Sequence, residues 1–332
     1  MTLTIIYSVL ELLIGIGVFL LAVIMLGKVF GRPTPKLTKM FERANKNRVS
    51  NMGLGIGVTM ITQSSTPTTV ILISLVGASV ISLFQATAMI MGINIGSSLT
   101  SLIFIFTTFR IRYFIMFLVF VGATIKIITK KDSWNRVADM MIAFGLLFVG
   151  MMLMSSALST NEVIVSFFEN LFETIRNPLV LILIGTVFSF LIQSSSAAIG
   201  ISVAMVGSGL LPFESAIYIV LSANLGTSFT AILASLSCNR QGKRIALVHV
   251  IFNLLGLLFF LAILLPLHSV LVPWYQSLID NEVIQISVFH LLFNVGTMLI
   301  LLPFARQIMN LTTKIIKVKP NEGCEKCDIL PT

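Results

Sequence analysis

The residues of this 332-residue chain best suited to chemistry are two pentads, Thr62-Gln63-Ser64-Ser65-Thr66 and Ile192-Gln193-Ser194-Ser195-Ser196. Each brings amide and hydroxyl side chains, able both to donate and to accept, into sequence otherwise apolar enough for lipid. An unpaired polar group costs several kcal/mol there, so these side chains need partners: other helices, or ions and a solute. Isolated serines such as Ser74 and Ser82 suit helix packing. Three adjacent hydroxyl residues cannot all point into one helix contact, because successive side chains leave a helix in different directions. The pentads are therefore read as binding groups. Hydroxyls and free amide N–H groups suit an oxyanion, and carbonyl and side-chain oxygens suit a small hard cation such as Na⁺.

The pentads lie at an offset of 130 positions, and the match extends beyond them. Thirty-one residues after each glutamine stands Asn-x-Gly, as Asn94-Ile95-Gly96-Ser97-Ser98 and Asn224-Leu225-Gly226-Thr227-Ser228. The same offset pairs Gly55 with Gly185, Gly77 with Gly207, Ala86 with Ala216 and Thr100 with Thr230. A gapless match of this length indicates an internal duplication.

The elements that must position these groups are membrane helices. With 56% hydrophobic and 11% charged residues and a mean hydropathy of +1.01, the chain lies outside the soluble range. It reads as an all-α polytopic membrane protein. Its net charge of +9 sits in short basic segments between apolar runs, a topology signal and not a nucleic-acid footprint. Residues 4 to 27 form a first crossing that contains Glu11, without the basic start of a signal peptide. The basic run from Lys28 to Arg48 is then cytoplasmic. Residues 52 to 81 and 179 to 207 are apolar but punctuated by glycines and a pentad, which suits two half-helices joined by unwound backbone. Crossings are expected at 83 to 107, 111 to 128, 213 to 237, 245 to 266 and 286 to 306. Segment 267 to 285 is placed outside. Gly145 to Met152 resembles Gly17 to Ile24, yet the first copy precedes a basic segment and the second an acidic one. The repeats are therefore inverted: 1–128 with a re-entrant hairpin at about 52–81, and 129–266 with one at about 179–207. Residues 286–306 add a helix and 307–332 a cytoplasmic tail. Arg110 and Arg112 fall outside in this scheme, against the trend.

Inverted repeats with broken helices at matching positions point to a secondary transporter whose site lies where the repeats meet, near the bilayer midplane. Half-helix N-termini favour an anion. Gln63, Gln193, Asn94 and Asn224, with the neighbouring hydroxyls, suit a tetrahedral anion beside Na⁺. Glu214, following Leu211-Pro212, suits a helix N-terminus. His249 and His290 are each followed four residues on by Asn, so each pair shares a helix face and suits a structural bond. Cys324 and Cys327 lie in the polar tail and make no metal site by themselves.

Gln193-Ser194-Ser195-Ser196, its variant at Gln63 and the Asn-x-Gly sequences resemble the type II sodium-dependent phosphate cotransporter family. His249-x-x-Phe252-Asn253 and His290-x-x-Phe293-Asn294 strengthen the resemblance, which covers roughly residues 10 to 305. It implies Na⁺-coupled movement of inorganic phosphate with no other cofactor. Substrate-binding residues carried over are Ser64, Ser65, Thr66, Ser194, Ser195, Ser196, Asn94 and Asn224. Residues assigned to Na⁺ are Gln63, Gln193, Ser98, Thr227 and Ser228. Thr66-Pro67 departs from the family pattern, so the first half-helix is expected to begin one residue differently from the second. No Asp precedes either motif closely, which leaves the Na⁺ number open. Many bacterial relatives continue into a C-terminal regulatory domain, and the resemblance here is to a short form without it.

No catalytic residue is assigned. An intramembrane phosphatase would need a nucleophile with a base or a metal cluster, and the sequence groups no Cys, His and Asp together. A symporter for a carboxylate is the closer rival. The expected partners are phosphate, Na⁺ and the bilayer, in the plasma (inner) membrane with the C-terminus cytoplasmic. A homodimer is compatible with the chain.

Overall fold

The computed structural model describes residues 2–317 apart from 31–38, 42, 44–46, 109–111, 130, 160–165, 167–169, 173 and 237. Among the described residues the regular elements are helices: α1 Thr2–Phe30, α2 Arg48–Thr62, α3 Ser65–Gly77, α4 Leu83–Ser101, α5 Arg112–Ile128, α6 Asp132–Ser159, α7 Pro178–Ile192, α8 Ser195–Gly207, α9 Phe213–Ser235, α10 Arg240–Leu278, α11 Glu282–Leu301 and α12 Ala305–Ile315. Among the described residues six spans are long and apolar enough to cross a membrane. The chain is an all-α polytopic membrane protein. One face of α7 shows why: Leu179, Leu183, Val187 and Leu191 are exposed at four-residue spacing, an apolar stripe that suits lipid, while Leu181, Gly185 and Ser189 are buried.

Close backbone approaches give the directions of the helices. A Cβ on Gly92 would overlap the Met52 carbonyl, and one on Gly96 would stand 2.7 Å from the Thr59 Cβ and 2.9 Å from the Ile56 carbonyl. Residue numbers rise together along α2 and α4, so the two run parallel. The intervening α3 must run back, which makes α2–α3 a hairpin. The second repeat does the same: Gly185 lies against Ile219 and Ser222, and Gly226 against Thr186, Ser189 and Phe190. Hence α7 and α9 are parallel and α7–α8 is a hairpin. The limbs hold 15 and 13 residues in both hairpins, about 20 Å each at 1.5 Å per residue. None can span a hydrocarbon core of about 30 Å. By contrast Gly15 meets Met154 and Gly150 meets Phe19. Numbers fall along α6 as they rise along α1, so these two helices of corresponding sequence run antiparallel.

Two apolar cores follow. One gathers α8 and α9 with α1 and α6, and the other gathers α2, α3 and α4 with the first part of α10 and with α12.

Three expectations need revision. The half-helices α3 and α8 begin at equivalent residues, Ser65 and Ser195, despite Pro67. A proline in the first turn forfeits an N–H that has no intrahelical acceptor anyway. The crossing expected at 245–266 is part of the 39-residue α10, which carries Pro266 and Pro273 inside it and extends through most of segment 267–285. Each proline removes only one ladder bond, and the apolar residues between them keep the helix going. Finally, part of the expected tail is α12. Its Ala305, Ile308, Met309 and Thr312 face the bundle; the buried Arg244 donates from Nε to the Ile316 carbonyl at 3.0 Å, and Arg240 donates to that of Lys317. Arg110, Cys324 and Cys327 lie outside the described residues, as does the side chain of Arg112.

Candidate functional site

Both hairpins break at their glutamine. Gln63 has φ 52°, ψ 20° and Gln193 has φ 58°, ψ 24°, left-handed values that glycine adopts freely and other residues only at a cost of about 1–2 kcal/mol. Each caps the limb before it, the Gln63 N–H donating to Thr59 O at 2.8 Å and that of Gln193 to Phe190 O at 3.2 Å. The next residues, Ser64 (φ −153°, ψ 126°) and Ser194 (φ −151°, ψ 113°), are extended and start the returning limb. A glutamine kept in both repeats where a glycine would relax the backbone marks stored strain of the kind found at functional sites.

The repeats differ in how the break is tied. Ser194 Oγ accepts from the Ala197 N–H at 3.2 Å. The equivalent of Ala197 is Pro67, which has no N–H, so the Ser64 hydroxyl has no such duty. Instead the Ser64 carbonyl accepts from Thr68 Oγ1 at 2.7 Å and Thr62 Oγ1 at 3.1 Å, and the two threonine hydroxyls stand 2.7 Å apart. Ile192 and Ala198 occupy the corresponding places in the second hairpin, so this hydroxyl clasp is confined to the first.

The two tips meet. Thr66 Oγ1 donates to the Gln193 carbonyl at 2.9 Å, and Ser97 Oγ lies 3.1 Å from Ser196 Oγ and 3.5 Å from Ser195 Oγ. The N-terminal ends of α3 and α8 therefore converge, with first-turn amides lacking intrahelical acceptors and the positive ends of two helix dipoles. Ser65 and Ser195 are buried, while Gln63, Ser64, Thr66, Ser194 and Ser196 are half-buried and Gln193 is exposed. Gln63 Nε2 donates to Met60 O at 2.5 Å, which leaves its side-chain oxygen free of that bond. Ser97, not singled out from the sequence, is the residue of the first Asn-x-Gly copy that reaches the opposite hairpin. The signal was present, because the offset of 130 equates it with Thr227.

The remaining assigned residues stand behind the tips. Ser98, Thr227 and Ser228 turn their hydroxyls onto carbonyls of their own helices, Ile95, Asn224 and Leu225. Asn94 and Asn224 are buried and donate to Asn253 Oδ1 at 2.5 Å and Asn294 Oδ1 at 2.6 Å. His249 Nε2 lies 3.3 Å from Asn94 Oδ1, and His290 Nδ1 lies 2.9 Å from Ser101 Oγ. Glu214 is in the first turn of α9, where its carboxylate accepts from Gln276 Nε2 at 3.3 Å. Among the described residues no three His, Cys, Asp or Glu side chains cluster as metal ligands. The groups at the tips are neutral oxygens, hydroxyls and N–H dipoles, suited to binding an anion or a hard cation by replacing its water.

A profile described as Na⁺/Pi-cotransporter matches residues 18–156 and 160–268. A Salmonella typhimurium protein named for inorganic phosphate export, YjbB, is 27% identical over 298 residues, covering 88% of this chain and 52% of its own length. The Bacillus subtilis protein YqeW, uncharacterised by name, is 28% identical over 266 residues, 80% of this chain and 84% of its own. Human sodium-dependent phosphate transport protein 2B is 33% identical over 158 residues, 45% of this chain and 22% of its own. The chain thus spans about half the length of the YjbB relatives. No solved structure matches.

Proposed function

The chain belongs to the Na⁺/Pi-cotransporter family, a family of transporters and not of enzymes, and from that premise we propose that it couples the movement of inorganic phosphate to Na⁺. Phosphate sits between the converging first turns of α3 and α8. Ser64, Ser65, Thr66, Ser194, Ser195 and Ser196 supply hydroxyls and amide N–H groups to its oxygens. Na⁺ takes oxygens from Gln63 and Gln193 and from carbonyls freed at the breaks, with Ser98, Thr227 and Ser228 behind them. The cation offsets the anion's charge, so no charged side chain is needed. Asn94 and Asn224, carried over as substrate residues, hold the supporting helices in register behind the tips.

The cycle is alternating access. The hairpins enter the bilayer from opposite sides, and movement of the bundle carrying them opens the site first to one face and then to the other. The membrane is the plasma (inner) membrane, with α12 on the cytoplasmic side. The observation that carries this reading is the meeting of the two broken tips, Thr66 on the Gln193 carbonyl and Ser97 on Ser196. A soluble anion binder has no use for two half-length hairpins meeting head to head.

Purified protein in liposomes, given labelled phosphate and an imposed Na⁺ gradient, is expected to accumulate phosphate. Ser195→Ala is expected to abolish that uptake at unchanged membrane expression. Accumulation of a carboxylate with indifference to phosphate, or wild-type uptake by the variant, would overturn the substrate or the site respectively.

A further inference from the structure

We propose that the two His-x-x-Phe-Asn elements are positioning residues of the transport cycle and work as opposite tautomers, His249 carrying its hydrogen on Nε2 and His290 on Nδ1. The positioning role rests on the function proposed above; the tautomers follow from hydrogen-bond bookkeeping alone.

Three bonds end on backbone carbonyls, which can only accept. Asn253 Nδ2 donates to the Asn224 carbonyl at 3.3 Å, so Asn253 turns its Oδ1 towards Asn94. Asn94 must then donate from Nδ2, as its 2.5 Å contact requires, and its Oδ1 faces His249 Nε2 at 3.3 Å. An amide oxygen cannot donate, so the hydrogen lies on His249 Nε2. Asn294 Nδ2 donates to the His290 carbonyl at 2.9 Å, which turns Asn294 Oδ1 to Asn224. Ser101 Oγ donates its single hydrogen to Ser98 O at 2.7 Å. Its 2.9 Å contact with His290 Nδ1 must therefore be donated by the ring. The two nitrogens left bare, His249 Nδ1 and His290 Nε2, are buried and without a partner among the described residues, so no acceptor there calls for a hydrogen.

The bonds make one connected set across α4, α9, α10 and α11. Asn94 lies one turn before Ser97, which touches the second break, and Asn224 one turn before Thr227. The set therefore fixes the rotation and depth of both helices that complete the site. Amide groups stand between the rings, so the histidines orient those helices and do not hand protons to one another.

Substitutions separate the tautomers. Glutamine carries its amide nitrogen as many bonds from Cα as histidine Nε2, and asparagine as many as Nδ1. His249→Gln and His290→Asn are expected to keep the half-saturating Na⁺ concentration within about twofold. His249→Asn and His290→Gln leave a buried acceptor unmet and are expected to raise it about tenfold or more. Loss of maximal rate alone, with unchanged half-saturation in all four variants, would mean a merely structural role and overturn the proposal, as would the reverse ranking at either position. Imidazole ¹⁵N spectra of ¹⁵N-histidine-labelled wild type in lipid, assigned with the single variants, should show the hydrogen on Nε2 of residue 249 and on Nδ1 of residue 290. The same tautomer at both refutes the assignment. These spectra need no transport, so a protein without Na⁺-driven uptake would lose the proposed function and the positioning role while the tautomers were still decided.

Discussion

Glycine at position 193 should make the protein more stable and less active. Gln193 holds φ 58°, which costs a side-chain-bearing residue about 1–2 kcal/mol. Glycine removes that strain but loses about 0.5–1 kcal/mol to the greater freedom of the unfolded chain, for a net gain of roughly 0.5–1 kcal/mol. Alanine at 193 keeps the strain and removes the amide. The Gly variant should therefore exceed the Ala variant by about 1 kcal/mol, the reverse of their order inside a helix. Position 63 supplies a control. Gln63 has the same strain, but its Nε2 bond to Met60 O is worth about 1 kcal/mol, so Gln63→Gly should come out near zero. The assay is thermal unfolding of purified protein, where 1 kcal/mol corresponds to about 2 °C in a chain of this size, paired with Na⁺-driven phosphate uptake. Uptake should fall in Gln63→Gly and Gln193→Gly alike, because both remove a side-chain oxygen proposed above to bind the cation. If Gln193→Ala melts above Gln193→Gly, the left-handed break is not strained and the reasoning fails.

Thr62→Val cuts the hydroxyl clasp of the first hairpin, whereas Ile192→Thr adds a hydroxyl to the second. We expect the first to lose about 1–3 kcal/mol through the partners it leaves unmet, read as a lowered melting temperature. Gly92→Ala drives a methyl into the Met52 carbonyl; α2 must move off α4, at about 1–3 kcal/mol or more because the obstacle is backbone. Monodisperse yield on size exclusion measures this, and Gly17→Ala, whose Cβ would meet nothing within 4 Å, is the harmless comparison. Arg244→Ala should release α12, seen as faster proteolytic cleavage after residue 304. The exposed Lys126–Asp139 pair, by contrast, is worth under about 1 kcal/mol, so Lys126→Ala should leave both melting and uptake nearly unchanged.

Much of this molecule was legible in its residue order. Hydropathy alone identifies a bilayer protein, because burying a backbone in lipid demands long apolar helices. The offset of 130 pairs Gln63 with Gln193, the residues at which the helices break. These features are local or repeat along the chain, so no partner is needed to see them. What only tertiary structure decided is which polar group meets which. Asn94 finds Asn253 across 159 residues, and Ser97 reaches Ser196 across 99. Those distances depend on helix rotation and on glycine-width approaches that no periodicity records. The same holds for the ends of helices. Prolines in α10 and a basic, amphipathic segment after Phe304 both look like stops in isolation. They remain helical because neighbouring helices bury one face of each, and just past α12 two arginines take the Ile316 and Lys317 carbonyls.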